Sequence, residues 1–422
     1  MLAFLLIALA LAGLIETHAW TEPIVVWVPA SNLSNAVGNS TQATMALDPA
    51  TGQLFVAWVD AGVAARDEIL GRRWDESSQS WEPGLSLPAE NLSQSEWADS
   101  GPCLFFGGQG AGLLLWTRRY SAFQGAPADG TDLVGRVWDG TGWSGEAILY
   151  HNSSYLPSSY GYGLIPVNMP DSVLLFVVWG KSYLTMEYQD GTWTAPSPWT
   201  ALDVQLAQVI RDDNGVLHAA AYGENSSQVG WDQWFYDAYY LSYDGTHWSE
   251  PLNLSFTDGV VRDLGLAFDT QGHLHFLWSD PDSLYSSESL KSALWERVWD
   301  GSAWSDNTEV TAYNNNQAIN GFSLTTDDNG RLHLAWSEGT WINGTHTNLD
   351  IYYQSGDGTT WGPEEKVYTS TAESRYPVLA TGGNEVFLVW QEGLSADSEV
   401  YFSYAAQEVA RTYLPLIIRN RP

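Results

Sequence analysis

Four acidic residues recur at one place in a repeated pattern, each two positions after a tryptophan that ends an apolar run. They are Asp60, Asp280, Glu338 and Glu392. Aromatic-rich segments follow the same apolar runs, and their candidate binding residues are Trp231, Trp234, Tyr236 and Trp341. Aromatic rings pack on the C–H faces of sugars, while carboxylates accept hydrogen bonds from sugar hydroxyls. The combination indicates a carbohydrate-binding surface if the fold brings the repeats to one face.

The same residues have a structural alternative, in which the acids cap strand ends and the aromatic residues cover the mouth of a ring. Ca²⁺ is the cation that such carboxylates would suit, although no segment has the ligand spacing of a calcium loop. Three histidines also recur at one repeat position, namely His218, His275 and His333. Equivalent positions of separate repeats do not converge on one ion, so we expect these histidines to pack within the fold.

The elements that position these residues come from an internal repeat. Each unit ends in a tight turn, usually Asp-Gly, followed by a closing tryptophan. The closing tryptophans are Trp81, Trp143, Trp193, Trp248, Trp304 and Trp361. Upstream of the turn lies a short apolar segment, such as Leu332 to Trp336, that follows an Asn-Gly turn. Four short β segments per unit, joined by turns that tolerate positive φ, predict one blade of a β-propeller.

We predict an all-β fold, a seven-bladed β-propeller of four-stranded antiparallel blades. Six complete units run from about Thr41 to Tyr368, and a seventh lacks its outer strand. Trp20 to Pro23 repeats the opening of an outer strand, so we expect the N-terminal segment to complete the last blade and close the ring. The predicted propeller spans residues 20–404, between a signal peptide at 1–19 and a C-terminal tail at 405–422.

Composition narrows the location and the partners. The apolar run from Leu2 to Ile15 is too short to span a membrane and suits a signal peptide, so we expect a secreted or cell-surface protein. With 17 basic and 50 acidic residues, the formal charge is −33, which argues against nucleic acid and anionic membranes as partners. Cys103 is the only cysteine, so no intramolecular disulfide forms. We expect a monomer without a transmembrane segment.

The acidic turns followed by tryptophan resemble the Asp-boxes of bacterial neuraminidase repeats, or BNR repeats, of sialidase-like propellers. Ser355 to Trp361 comes nearest to the usual spacing, whereas elsewhere Asp and Gly are adjacent. The match covers nearly all of the chain after the signal peptide. The resemblance implies a propeller with these turns on its outer hairpins, away from the central site. The Leu-Pro-Leu tail is similar to tails that end some secreted bacterial proteins.

Sialidase chemistry, which the resemblance brings into question, needs an arginine triad, a Tyr nucleophile paired with Glu, and an Asp acid/base. Arg375, next to Tyr376, is loosely similar to the family's Arg-Ile-Pro motif, and Arg262, next to Asp263, takes a comparable place. A third arginine would have to come from a loop, where the candidates are Arg118 and Arg119. The sequence therefore gives no convincing catalytic set.

We expect a non-catalytic propeller that binds an extracellular ligand, glycan or protein, on its loop-decorated face. The expected site combines Arg262, Asp263, Arg375 and Tyr376 with the aromatic and acidic residues named above. No cofactor is expected. A sialidase-like exo-glycoside hydrolase and a protein–protein interaction scaffold remain the alternatives.

Overall fold

The described part of the chain consists of β-strands, thirty-one in number. The computed structural model describes residues 25–36, 38–62, 66–75, 77–107, 112–121, 126, 129–153, 163–179, 182–199, 202–224, 236–256, 261–281, 292–311, 317–342, 345–393 and 397–407. Within these ranges, no helix has the length and apolar character needed to cross a membrane. The strands form seven antiparallel sheets, which we number as blades 1 to 7 along the chain.

Each blade consists of four strand positions, the outer one often split into two short pieces. Blade 1 contains β3 (Ser40–Leu47), β4 (Leu54–Asp60), β5 (Glu68–Asp75), β6 (Ser80–Glu82) and β7 (Glu90–Asn91). Blade 2 contains β8 (Ala98–Phe106), β9 (Gly112–Tyr120), β10 (Gly130–Trp138) and β11 (Ala147–Asn152). Blade 3 contains β12 (Gly163–Asn168), β13 (Val173–Trp179), β14 (Ser182–Gln189), β15 (Thr192–Trp193) and β16 (Ser197–Pro198).

The second half of the chain follows the same plan. Blade 4 contains β17 (Gln205–Arg211), β18 (Leu217–Glu224), β19 (Tyr236–Tyr243) and β20 (Leu252–Asn253). Blade 5 contains β21 (Leu264–Phe268), β22 (Leu274–Pro281), β23 (Ser292–Trp299) and β24 (Thr308–Glu309). Blade 6 contains β25 (Gln317–Thr326), β26 (Leu332–Ile342), β27 (Thr345–Gly356) and β28 (Glu365–Tyr368). Blade 7 contains β29 (Ser374–Gly382), β30 (Glu385–Glu392), β31 (Glu399–Gln407), β1 (Val25–Trp27) and β2 (Ser31–Asn32).

The blades close into a ring through their first strands. Each first strand contacts the next one around the ring, in the order β3, β8, β12, β17, β21, β25, β29 and back to β3. The first and last strands of the described chain meet in blade 7, where Val25 pairs with Gln407 and Trp27 with Ala405. The predicted seven-bladed propeller, closed by the N-terminal segment, is therefore confirmed. In the closed ring, every first strand has another first strand on each side.

One face of the ring, which we call the upper face, carries the starts of the first strands. There Ser40 pairs with Asp60 and Asp60 with Glu68, so the first-strand starts, second-strand ends and third-strand starts lie together. The same order holds in blade 7, where Ser374 pairs with Glu392. In blades 1 and 7 the second strands therefore end, and the third strands begin, on the upper face.

Tryptophans at the end of the second strands fill the interfaces between blades. The five that the structure describes as fully buried are Trp58, Trp116, Trp278, Trp336 and Trp390. Each packs in an apolar cluster shared with a neighbouring blade, as Trp58 does with Phe387 and Phe402 of blade 7. Burial of each of these large aromatic side chains contributes several kcal/mol to the stability of the fold. The repeat thus encodes the contacts that hold the ring together.

A second set of contacts joins the blades along the inner wall. At one position of the first strands, the side chain forms a hydrogen bond with the backbone of the next blade's first strand. The pairs are Thr44 with Leu104, Cys103 with Leu164, Gln208 with Leu266, and Ser323 with Leu379. These bonds satisfy backbone groups that have no ladder partner on the channel side of each sheet. They also fix the register of one blade against the next.

Three Asn-Leu-Ser segments, which match the glycosylation sequon, are structural elements of the outer strands. In each one the buried serine hydroxyl accepts a backbone N–H of the third strand and donates to an acidic residue there. The sets are Ser34 with Val400 and Glu399, Ser93 with Ile69 and Glu68, and Ser255 with Ala238 and Asp237. The leucines Leu33, Leu92 and Leu254 are buried beside them. The segment anchors the outer strand at the upper face.

The acidic turns are held by their own carboxylates. In blade 4, Asp244 Oδ1 accepts hydrogen bonds from the backbone N–H groups of Thr246 and His247 and from the Thr246 hydroxyl, all at 2.7–2.8 Å. Gly245 has φ of +95°, which favours glycine. Blade 5 repeats the arrangement at Asp300. Hydrogen bonds to the charged form lower the pKa of both carboxyls to about 2.

Acid should weaken these turns before the rest of the protein unfolds. Because the folded pKa lies below the ordinary value of about 3.9, the stabilisation is complete above pH 4 and disappears as the pH falls toward 2. Asn accepts the same hydrogen bonds without titrating. We therefore expect a double variant, Asp244→Asn with Asp300→Asn, to lose less stability between pH 6 and pH 2.5 than the unsubstituted protein. Urea denaturation at both pH values measures this difference, and equal losses would contradict it.

The recurrent histidines bond within their own blades. His218 and His333 lie with Nδ1 at 2.8 and 2.7 Å from the hydroxyls of Tyr240 and Tyr353. His275 Nδ1 is 2.7 Å from Glu296. Among the residues that the structure describes, no three His, Cys, Asp or Glu side chains are arranged to hold a metal ion. The histidines therefore act as cross-strand packing residues.

Candidate functional site

The first strands bulge where they enter the upper face. Pairing with the second strand shifts by an extra residue or more in β3, β8, β17, β25 and β29. In four of these bulges one residue has positive φ, namely Gln42, Gly101, Gly321 and Tyr376. A bulge turns a side chain out of the ladder, and such bulges are common beside binding sites. The repeated bulge therefore presents residues at the mouth of the central channel.

Tyr376 is the unusual member of this set. Its φ is +53° and its side chain is among the largest exposed hydrophobic groups, at 54% exposure. A bulky residue in the left-handed region is an outlier, held by its surroundings at a cost of about 1–3 kcal/mol. Gly321 of the neighbouring blade leaves room for it, since a Cβ on Gly321 would lie 3.3 Å from Tyr376 Cδ1. The fold thus holds an exposed ring at the mouth at some expense in stability.

Arg375, next to Tyr376, forms an ion pair with Glu373. Its guanidinium lies 3.3 Å from the Glu373 carboxylate, and its buried Nε has no hydrogen-bond partner among the residues that the structure describes. The side chain is mostly buried, at 17% exposure. The ion pair with Glu373 therefore restrains the guanidinium, whose Nε–H is not used in these contacts.

Arg262 and Asp263 enter the same region from blade 5. Arg262 is exposed, and its carbonyl accepts a 2.7 Å hydrogen bond from the Tyr222 hydroxyl of blade 4. The Asp263 carboxylate accepts from the Ser279 hydroxyl at 3.1 Å and from the backbone N–H of Gly321. Burial nevertheless raises the pKa of Asp263, because desolvation outweighs these bonds and the nearby Arg262 charge. Asp263 joins blades 5 and 6 at this level.

These contacts form a continuous path across four blades. At its blade 4 end, Tyr222 and Tyr236 lie edge to face with ring centroids 6.2 Å apart, and the carbonyl of Tyr236 accepts the Val261 N–H at 3.0 Å. We call the whole path the mouth arc, and its residues are Tyr236, Tyr222, Arg262, Asp263, Gly321, Tyr376 and Arg375. Five of the predicted site residues belong to it. Tyr222 was missed, because the strand that carries it lacks the tryptophan that marks its position elsewhere.

The acidic residues predicted to bind ligand after the strand tryptophans make other contacts than those of the mouth arc. Asp60, Glu338 and Glu392 are buried, and the last two accept hydrogen bonds from Trp336 and Trp390 Nε1 at 2.9 and 3.1 Å. Asp60 accepts the Ser40 hydroxyl at 2.8 Å. Burial raises the pKa of Glu338. These contacts match the structural alternative considered for the acids, and ligand binding by the three residues stays a prediction.

The remaining predicted residues divide into two groups. Asp280 is half-buried near the end of β22, and Trp341 belongs to β26. Trp231 and Trp234 lie outside the described residues. Their contribution to a site therefore stays a prediction.

Sialidase chemistry needs a third arginine, and the two candidates for it do not lie on the mouth arc. Arg118 bonds Asp99 at 2.9 Å and Glu146 at 3.0 Å in blade 2. Burial raises the pKa of Asp99 to about 6 even beside this guanidinium. Arg119 points to the opposite face of the same strand, where it is buried. Of the described arginines, the mouth arc therefore holds two, Arg262 and Arg375.

Comparison with known proteins shows similarity at the level of fold. No protein-family model and no curated protein matches the sequence. A protein of unknown function from Dyadobacter fermentans superimposes with a TM-score of 0.54 at 11% identity, covering 91% of this chain and 99% of that one. A Hadza microbial sialidase gives 0.47 at 14% identity, covering 84% and 76%. A Streptococcus pneumoniae sialidase variant gives 0.46 at 11%, covering 90% and 70%. The similarity to the Dyadobacter fermentans protein, the one of these three above a TM-score of 0.5, concerns the fold alone.

Proposed function

We propose that the protein is a secreted, BNR-type propeller that binds extracellular carbohydrate at the mouth arc without turning it over. The observation that carries the proposal is Tyr376, an exposed aromatic ring kept in a left-handed conformation at the channel mouth. Local strain concentrates at functional sites, because selection for packing alone would remove it. A ring in that place offers a stacking surface for a pyranose.

The neighbouring polar groups suit the same ligand. Arg262 and Arg375 are hydrogen-bond donors on either side of the Tyr376 ring along the mouth arc. Tyr236 and Tyr222 extend the aromatic surface toward blade 4. Sugars are recognised by this combination of ring faces and directed polar groups. Two arginines and a tyrosine on one arc also favour a second candidate, a sialidase-like exo-glycoside hydrolase.

A glycan array tests the first candidate with the chain that begins at Trp20. We expect one glycan class to bind and Tyr376→Ala to weaken its affinity about tenfold or more, because the stacking surface is lost. Phe256→Ala is the matched control, since Phe256 is also an exposed aromatic residue with positive φ, at +46°. It follows the outer strand of blade 4, about three strand spacings or roughly 14 Å from the first strand.

Each outcome separates the candidates. Equal loss in both variants would contradict a site at the mouth arc. Hydrolysis of a fluorogenic sialoside that disappears in Arg375→Ala would replace binding with catalysis. A wild-type protein silent in both assays would leave the interaction scaffold as the function.

A further inference from the structure

The interfaces between blades are filled in a repeating way. One position of the third strand faces the next blade. Its residue pairs with the second-strand residue that comes directly before the tryptophan position. This position holds Tyr183, Tyr240, Glu296, Tyr353 and Phe402 in blades 3 to 7. Blades 1 and 2 have Gly71 and Gly135 there. Five blades therefore project a large side chain where two project none.

Four of the five filled positions meet an outer tryptophan of the following blade. Ring centroids are 4.8 Å apart for Phe402 and Trp81, 4.9 Å for Tyr240 and Trp304, and 5.1 Å for Tyr353 and Trp27. Glu296 instead accepts a 3.1 Å hydrogen bond from Trp361 Nε1. Four of the seven interfaces thus place a ring or a carboxylate against an outer tryptophan, and in a fifth the Tyr183 hydroxyl donates to the Val204 carbonyl beside blade 4.

The two glycine positions differ in what replaces the side chain. At Gly135, Leu115 and Leu149 close the space, since an added Cβ would lie 2.9 Å from each. At Gly71, Leu92 occupies only part of it, and a cavity of ≈ 240 Å³ remains between blades 1 and 2. Its walls include Phe55, Leu104, Trp138 and Trp143. The Arg73–Glu82 ion pair, whose side chains are 35% and 49% exposed, lies at its rim.

We propose that this cavity binds a small aromatic ligand, whose ring takes the place of the side chain missing at Gly71. A cavity of about 150 Å³ already holds benzene, so this one has room for a phenyl ring with a short substituent. Phe55 and Trp143 lie with ring centroids 5.7 Å apart at 80°, which leaves an aromatic wall for the ligand to complete.

The second-strand partner indicates which ring fits. In blades 4 and 6 a histidine bonds the tyrosine hydroxyl, whereas blade 7 pairs Phe387 with Phe402, stacked at 6.4 Å. Blade 1 has Phe55 at that place, so its inner end accepts an apolar phenyl edge. The outer end is polar, since Arg73 pairs with Glu82 and lies 5.4 Å from the Trp138 ring. The ligand class is therefore a phenyl ring with a polar substituent on a short linker.

Benzyl alcohol is the probe for the chain that begins at Trp20, with cyclohexylmethanol as the non-aromatic match. We expect saturable binding to one site, observed by ligand-detected NMR and by tryptophan fluorescence, with a Kd on the order of 1 mM. Trp143→Leu should weaken this binding about tenfold or more. Trp304→Leu, the same substitution in blade 5 where Tyr240 fills the interface, should leave the Kd unchanged.

Filling the cavity gives an independent measurement. Gly71→Phe combined with Leu92→Ala restores the ring found in blade 7 and removes the leucine atom that lies 2.5 Å from the added Cβ. We expect this variant to fold and to lose benzyl alcohol binding. If it does not fold, the Trp143→Leu and Trp304→Leu pair decides. Absent saturation, equal affinity for cyclohexylmethanol, or equal effects of the two tryptophan variants would each overturn the proposal.

Discussion

Removing residues 1–35 should lower the Tm of the propeller by an amount on the order of 10 °C or more. The truncation deletes β1 and β2, which supply the outer strand of blade 7 through the pairs Val26–Ala406 and Ser31–Phe402. It also removes Ser34, whose hydroxyl accepts the Val400 N–H at 2.8 Å. The edge of β31 would then be unpaired, which favours association with other chains.

The matched control begins at Trp20 and keeps every described strand. Calorimetry and size-exclusion chromatography of the two truncated chains measure the difference. A sharp single transition at the same temperature in both would mean that the ring does not depend on its N-terminal closure.

Replacement of Trp336 by alanine should destabilise the protein by about 3–5 kcal/mol. The indole is fully buried between blades 5 and 6, where it packs with Leu277, Leu294 and Ile319. Its Nε1 also donates to Glu338 at 2.9 Å, so the substitution leaves a buried carboxylate without this donor. Both losses act in the same direction.

Two further variants separate these causes in urea denaturation. Glu338→Gln keeps an acceptor for the indole and should cost about 1 kcal/mol or less. Trp193→Ala removes a half-buried tryptophan of blade 3 that packs on Tyr188 at 5.2 Å, and should cost about 1–2 kcal/mol. A loss at Trp336 no larger than that at Trp193 would contradict the role assigned to the second-strand tryptophans.

The architecture could be predicted because it is repeated. Six of the seven blades have a tryptophan at the same position, where it buries the same kind of surface, so the imperfect copies reinforce one another. Ring closure followed for the same reason, since Trp20 to Pro23 matches the start of an outer strand that blade 7 lacks. The pairing of Val25 with Gln407 places the end of β31 three residues beyond the predicted boundary at 404.

The site was harder to predict, because its residues depart from the repeat. A carboxylate two residues after a strand tryptophan has the same sequence pattern whether it faces solvent or caps an indole. The side-chain contacts are needed to describe each case, and for Glu338 and Glu392 they include a hydrogen bond from the indole N–H. Tyr222 and Gly71 gave no motif at all. Each is informative only once the register shows what the other blades hold at the same position.

The contact of Cys103 with blade 3 has a practical consequence for chemical labelling. Its thiol lies 3.9 Å from the Leu164 carbonyl, and burial raises its pKa to about 12. Alkylating reagents need the thiolate, so the folded ring protects this sulfur from modification. Separation of the first strands of blades 2 and 3 exposes the half-buried thiol and lets it ionise. The rate of alkylation at Cys103 therefore rises when the first strands of blades 2 and 3 separate under native conditions.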